Sequence, residues 1–116
     1  MLIVKDLNDA YNRVASVLRG VHKNSRSANS NVDSDVSQMV FDFSIWCLKR
    51  LRMGYTLDPE LVKSALIVCL AKRRVYWVDV NKMVRDVYNV LKGYDQNLRS
   101  VLAYCALKSK ISDFSL

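Results

Sequence analysis

The sequence predicts an all-α fold, a compact bundle of about five amphipathic helices with the third helix at its centre. Apolar residues recur at helical spacing in five segments, and each segment is bounded by residues that favour helix ends. The chain has 116 residues, of which 51% are hydrophobic, so most of it is too apolar for intrinsic disorder. Its length predicts a single domain, 1–116, that builds a core without disulfide or metal staples.

The first helix is predicted from Val4 to Arg19, and Gly20 provides its C-terminal stop. Its apolar stripe alternates steps of three and four residues and consists of Val4, Leu7, Tyr11, Val14 and Leu18. Small polar residues without periodicity follow, which predicts a flexible loop over about 22–33.

Asp33 or Ser34 is expected to cap the second helix, which Gly54 ends. The third helix has the clearest start signal, because Asp58 can cap it while Pro59 occupies its first position. This helix is expected to run to about Lys72. Since it is apolar all round over 65–71, it is predicted to be the buried, central helix.

Asp79 is expected to cap a fourth helix that Gly93 stops. Asp95 then opens a fifth helix that ends near Lys110, and a frayed tail is expected over about 112–116. Short links between packed helices favour antiparallel neighbours, so the first, third and fifth helices are predicted to end at one pole of the bundle.

The chain carries 18 Lys and Arg against 11 Asp and Glu, a net charge of +7. Cations at helix C-termini complement the backbone dipole. The dipole therefore explains where the cations lie but not why they outnumber the acids. An unbalanced positive surface favours polyanions. The predicted basic pole contains Arg19, Lys23, Arg26, Lys72, Arg73, Arg74, Lys108 and Lys110, and the opposite pole receives Lys49, Arg50, Arg52 and Lys92.

The most concentrated basic element is the segment 72–77, in which three cations precede Tyr76 and Trp77. Cations can hold phosphates while an exposed aromatic ring stacks on an unpaired base. Tyr76 is predicted to be the exposed ring and therefore a binding residue. Trp77 is expected to turn inward and close the end of the core.

Enzymatic chemistry is disfavoured by one His and one Glu in the whole chain. The cysteines Cys47, Cys69 and Cys105 lie on three apolar stripes, which predicts buried free thiols in a reducing, intracellular compartment and no metal site. No catalytic residue and no cofactor is predicted. No apolar run reaches the length of a membrane span, and no membrane partner is expected.

The sequence therefore predicts a non-enzymatic protein that binds nucleic acid, RNA somewhat ahead of DNA, through backbone phosphates with little sequence preference. Phe41 and Tyr104 lie off the main stripes of their helices and are predicted to form a surface for self-association into a homo-oligomer. The alternative is a helical protein-interaction module whose positive charge meets an acidic protein partner. Ten Asp against one Glu, with abundant Val, Ser and Asn, suggests a viral source.

Overall fold

A computed structural model describes residues 2–22 and 32–114, and within them the fold is all-α without strands, as predicted. Five α-helices are present in these ranges: α1 Val4–Arg19, α2 Val32–Arg52, α3 Pro59–Lys72, α4 Val80–Leu91 and α5 Leu98–Phe114. Short 3₁₀ segments follow α1 over Gly20–His22 and join α4 to α5 over Lys92–Asn97.

Two helix starts have the predicted caps. The Asp58 carboxylate accepts a hydrogen bond from the Leu61 amide at 2.8 Å, with Pro59 in the first helical position. The Asp79 carboxylate accepts from the Lys82 amide at 3.1 Å in the same way. Each cap satisfies an amide of the first turn that has no partner within its helix, so these two boundaries are determined locally.

Four other predicted boundaries differ from the structure. The helix α2 begins at Val32, which places Asp33 in its first turn rather than before it, and residues 23–31 of the predicted loop lie outside the described ranges. Gly93 lies within the 3₁₀ segment rather than ending α4. The helix α5 begins at Leu98 rather than after Asp95, which lies in the same 3₁₀ segment. It continues to Phe114, past the predicted end at Lys110, so residues 112–114 of the predicted frayed tail are helical.

The central helix is α2 rather than α3, which corrects the prediction from sequence. The helix α2 packs against α1, α3 and α5, with the most extensive interface to α5, whereas α3 packs mainly against α2 and α4. An all-round apolar sequence marks α3 as able to be buried but does not require it. On its outer side Ile67 and Val68 remain 46% and 48% exposed.

The core is a single cluster to which all five helices contribute. Its largest fully buried side chains are Phe43, Leu18, Met39, Leu66, Leu91 and Leu102. Truncating a buried Phe or Leu in such a core costs about 3–5 kcal/mol, so most of the stability comes from this cluster rather than from helix propensity.

The helices α2 and α3 each end in a turn of the same hydrogen-bonded type. In α3 the Val75 amide donates to the Leu70 carbonyl and the Arg74 amide to the Ala71 carbonyl, both at 3.0 Å. This Schellman arrangement needs a left-handed backbone at its penultimate residue, and Arg74 has a φ of 55°. In α2 the equivalent residue is Gly54, with a φ of 97°. A glycine therefore meets the requirement in α2, whereas an arginine is strained into it in α3.

We expect Arg74→Gly to raise the free energy of unfolding by about 1 kcal/mol, because it removes the Cβ clash of the left-handed conformation. Gly54→Ala should lower it by a similar amount, about 1 kcal/mol, at the equivalent position. Chemical denaturation of both variants measures the two shifts. Equal stability of Arg74→Gly and the wild type would contradict the strained assignment.

Candidate nucleic-acid interface

The predicted basic pole exists in part, but acids of α2 neutralise it. The ends of α1 and α3 meet the start of α2, as antiparallel packing requires. Arg19 forms an ion pair with Asp33, and the His22 ring nitrogen lies 2.8 Å from an Asp35 carboxylate oxygen. We call this group the α2-start cluster; its members are Arg19, His22, Asp33, Asp35, Asp42, Lys72 and Arg73.

Arg73 is the most enclosed member of the α2-start cluster, with 14% of its side chain exposed. Its guanidinium donates to Asp42 at 2.8 Å, to Asp35 at 3.3 Å and to the Cys69 carbonyl at 3.1 Å. Burial lowers the pKa of Arg73, but the hydrogen bond to Asp42 and the surrounding negative charges outweigh it and raise the pKa overall. The donors of Arg73 are thus engaged inside the protein and are not free to hold a phosphate.

Lys72 and Arg74 flank Arg73 but lie in different surroundings. Lys72 is 66% exposed and its ammonium lies 3.6 Å from an Asp42 oxygen, a loose pairing at the surface. Arg74 is exposed, and no acid pairs with it in the described ranges. Of the three consecutive cations, one is structural and two face solvent.

The exposure of the two aromatic residues after these cations agrees with the prediction for Tyr76 but not for Trp77. Tyr76 is 79% exposed, as expected. Trp77 is also 56% exposed, so the expectation that it closes the core is wrong. Val75 takes the inward position after α3, and the Trp77 indole instead donates to the Val21 carbonyl at 3.0 Å. The Trp77 ring therefore lies over a groove between α1 and α4.

The predicted basic residues of α5 do not join the α2-start cluster. The Lys108 ammonium donates to the Asn8 side chain at 2.6 Å and lies 5.0 Å from the centre of the Tyr11 ring. The Lys110 ammonium lies 4.3 Å from the centre of the Phe41 ring. Both lysines thus contact middle segments of α1 and α2. Lys23 and Arg26 lie outside the described residues.

The predicted self-association residues also make contacts within the fold. The Tyr104 hydroxyl donates to the Asn8 side chain, and Tyr104 and Phe41 are both half-buried. Lys110 lies over the Phe41 ring and Asn8 accepts from the Tyr104 hydroxyl, so both aromatic residues already have a partner within the fold. Self-association through this pair stays an untested prediction.

A second group of cations lies where α2 ends and α5 begins. We define the α2-end patch as Lys49, Arg50, Arg52 and Arg99. The Arg99 guanidinium donates to the Leu51 carbonyl at 3.0 Å, which joins the two helix ends. The Arg50 guanidinium stacks 4.3 Å from the centre of the Trp46 ring. Throughout the described ranges every ion pair belongs to the α2-start cluster, so the α2-end patch has no acidic partner.

The sequence contains a local signal for the α2-end patch. The charge pattern by itself predicts only that the three cations of α2 lie at the pole opposite the predicted basic pole. Residues 43–57 contain three cations and no acid. Beyond the end of α2, exposed Tyr55 and Arg99 line a cleft of about 340 Å³. The cleft is lined by Tyr55, Thr56, Asp95, Gln96, Asn97 and Arg99, among others. Charge, an aromatic ring and hydrogen-bonding side chains therefore occur together at this pole.

Searches against protein-family models, curated proteins and solved structures found no match. Among the described residues no group of His, Cys, Asp and Glu is arranged to hold a metal ion. Within the same ranges no helix is both long and apolar enough to cross a bilayer.

The three cysteines are buried free thiols, as predicted. Burial raises the pKa of Cys47 and of Cys105 to about 12 and that of Cys69 to about 11. Each thiol is therefore protonated at neutral pH. A protonated, enclosed thiol is a poor nucleophile, so these side chains act as small core residues.

Proposed function

We propose that this protein binds nucleic acid, RNA ahead of DNA, through backbone phosphates and with little sequence preference. The α2-end patch is the observation that supports this proposal best. Its four cations form no ion pair in the described ranges, and one of them, Arg99, lines the same cleft as the exposed Tyr55 ring. Such a surface neutralises phosphates without reading base edges in a groove.

Two cations of the α2-end patch are held in place before any ligand arrives. Stacking on Trp46 orients Arg50, and the Leu51 carbonyl fixes one nitrogen of Arg99. A planar guanidinium that is already oriented loses less entropy when it binds a phosphate through two hydrogen bonds. Lys49 and Arg52 are exposed at the same helix end and add charge.

Exposed aromatic rings support the preference for RNA with unpaired bases. Tyr55 is 56% exposed beside the cleft, and Tyr76 is exposed near Arg74 and Lys72 at the other pole. Stacking of a base on such a ring contributes about 1–3 kcal/mol and tolerates any sequence. Segment 72–76 is thus a second, smaller contact region, from which we omit Arg73 because its donors are already occupied.

The test measures the affinity of the chain for a fluorescent single-stranded RNA of mixed sequence, and for a duplex DNA of equal length, over a range of salt. We expect the affinity for both to fall as salt rises, because bound cations release counterions. Lys49→Gln with Arg52→Gln should reduce the slope of log affinity against log salt by about two, one for each phosphate that is no longer neutralised.

Lys82→Gln with Arg85→Gln is the matched control, since it removes the same charge from exposed positions of α4. The control should retain more of the slope than the patch variant. Equal losses in the two variants would remove the α2-end patch from the proposal. Absence of binding to either polynucleotide at low salt would overturn the function itself.

The alternative, an interaction module for an acidic protein, uses the same cations but needs no aromatic ring. Competition between the labelled RNA and polyglutamate at equal charge distinguishes the two. Under the nucleic-acid proposal RNA binds more tightly, and Tyr55→Ala weakens RNA without affecting polyglutamate. Tighter binding of polyglutamate would favour the acidic protein partner.

A further inference from the structure

The cleft beyond the end of α2 contains side chains suited to each part of a nucleotide. It has a volume of about 340 Å³ and is formed by residues that follow α2 and residues around the start of α5. An aromatic ring, a carboxylate, a guanidinium and two side-chain amides line it: Tyr55, Asp95, Arg99, Gln96 and Asn97. Small-molecule sites begin at about 300 Å³, so the cleft is large enough for a single base.

Asp95 is the residue of this cleft that phosphate binding does not explain. A carboxylate repels backbone phosphates, and Asp95 is the only acid that lines the cleft in the described ranges. No ion pair engages it there. The carboxylates of Asp58 and Asp79 accept capping hydrogen bonds at α3 and α4, whereas Asp95 accepts no such bond before α5. An exposed acid beside a cationic patch therefore keeps both of its oxygens for a ligand.

The hydrogen-bonding capacity of a carboxylate favours one base. A carboxylate accepts hydrogen bonds and donates none. The Watson–Crick edge of guanine has two adjacent donors, the N1 and N2 groups, which match the two carboxylate oxygens. Adenine, cytosine and uracil each place an acceptor beside a donor on that edge, and the acceptor repels a carboxylate. Because pairing occupies this edge in a duplex, the match requires an unpaired guanine.

The other side chains of the cleft suit the remaining parts of a guanine nucleotide. The Tyr55 ring is 56% exposed and provides a face for stacking. Gln96 and Asn97 have amide donors that suit the O6 and N7 acceptors of guanine. One nitrogen of Arg99 donates to the Leu51 carbonyl, which leaves the rest of the guanidinium for an adjoining phosphate.

Asp95 also borders a second cleft, which is less suited to a base. That cleft is lined by Leu2 and by residues of the 3₁₀ segment, including Lys92 and Tyr94. Tyr94 is half-buried, and the Lys92 ammonium lies 5.9 Å from the centre of the Tyr88 ring. No exposed aromatic ring lines this second cleft in the described ranges, so a base has less surface on which to stack.

From these observations we infer that the cleft binds one unpaired guanine of an RNA strand, with Asp95 accepting from its N1 and N2 groups and Tyr55 stacking on its ring. The inference rests on the proposed function, because phosphate contacts with the α2-end patch bring the strand to the cleft. It adds a preference at one nucleotide to binding that otherwise tolerates any sequence. Overall affinity and base preference are measured separately, so failure of one proposal is distinguishable from failure of the other.

The first test compares oligouridine with strands of the same length that carry one central guanosine, adenosine, cytidine or inosine, each bound to the full chain at low salt. The guanosine strand should bind about tenfold more tightly than the uridine, adenosine and cytidine strands. Inosine lacks the N2 amino group, so its strand should lose much of this advantage. Equal affinity for guanosine and adenosine strands would overturn the inference. No binding by any strand would overturn the proposed function and this inference with it.

The second test repeats the comparison with variants of the full chain. Asp95→Asn should abolish the preference for guanosine, because an amide offers one acceptor and one donor group where guanine requires two acceptors. Its affinity for oligouridine should stay equal or rise, since a negative charge is lost, and this establishes that the variant folds. Asp9→Asn is the matched control and should keep the preference, because Asp9 is an exposed acid of α1 outside the cleft.

Three further results would overturn the inference. A full guanosine preference in Asp95→Asn means that this carboxylate does not contact the base. Loss of the preference in Asp9→Asn but not in Asp95→Asn places the guanine on α1. Displacement of the guanosine strand by an equal concentration of guanosine monophosphate would assign the cleft to a free nucleotide rather than to RNA.

Discussion

Arg73→Met is expected to lower the free energy of unfolding by about 2–3 kcal/mol. This is among the largest effects expected for a substitution outside the apolar core. The change removes a guanidinium that donates to Asp35 and Asp42. Asp42, with only 17% of its side chain exposed, then keeps only the Lys72 ammonium at 3.6 Å and a hydrogen bond from the Gln38 side chain at 3.2 Å. Removing one partner of an enclosed ion pair costs more than the pair contributes, because the remaining charge stays desolvated.

Arg19→Met provides the matched control for this prediction. It removes the same charge from the same α2-start cluster, but its partner Asp33 is 83% exposed and regains water when the cation is removed. We expect its effect to stay below about 1 kcal/mol. Asp42→Asn in the Arg73→Met background should recover part of the stability, because it removes the enclosed charge that has lost its main partner. Urea denaturation of the four proteins measures these differences, and equal effects of Arg73→Met and Arg19→Met would contradict the structural role.

The fold could be predicted from the sequence because its strongest signals are local. A carboxylate before Pro59 specifies a helix start through bonds that span three residues. The regular spacing of the α1 stripe likewise gives the bounds Val4–Arg19 without any knowledge of neighbours. The orientation of α3 could not be predicted, since a helix that is apolar all round does not indicate which side faces the core.

The candidate site was harder to predict because it depends on contacts between distant residues. Arg73 meets Asp42 and Asp35 across 31 and 38 positions of the chain. A count of charges at a pole cannot show which of them pair. The acid-free segment 43–57 is a local signal for the α2-end patch, but the dipole at the end of α2 accounts equally well for its cations. Only the packing of α2 against α5 brings Arg99 to the same place.

Arg74 illustrates how the information in the sequence differs from that in the structure. The sequence marks it as one of three equivalent cations, whereas the structure separates it from Arg73 by its left-handed backbone and its exposure. Strained backbone that persists in a folded protein is found more often at functional positions than elsewhere.

Alkaline conditions are expected to unfold the protein because of its three buried thiols. Burial raises the pKa of Cys69 to about 11 and those of Cys47 and Cys105 to about 12, from an ordinary value of 9.0. Between pH 9 and 11 the folded chain keeps protons that the unfolded chain releases. The contribution of the thiols to the free energy of unfolding is therefore complete below pH 9. Above that pH it falls by up to about 4 kcal/mol per pH unit for the three thiols together.

Single substitutions separate this effect from the titration of lysines and tyrosines in the same range. Cys47→Ala should reduce the decline of unfolding free energy with pH by about a third, because it removes one of the three linked protons. At pH 7 the same variant should be destabilised by about 1 kcal/mol through the small cavity it leaves. Denaturant unfolding at several pH values from 7 to 11 measures both quantities. A decline of the same steepness in Cys47→Ala and the wild type would mean that Cys47 releases its proton without unfolding, and would place that thiol in contact with water.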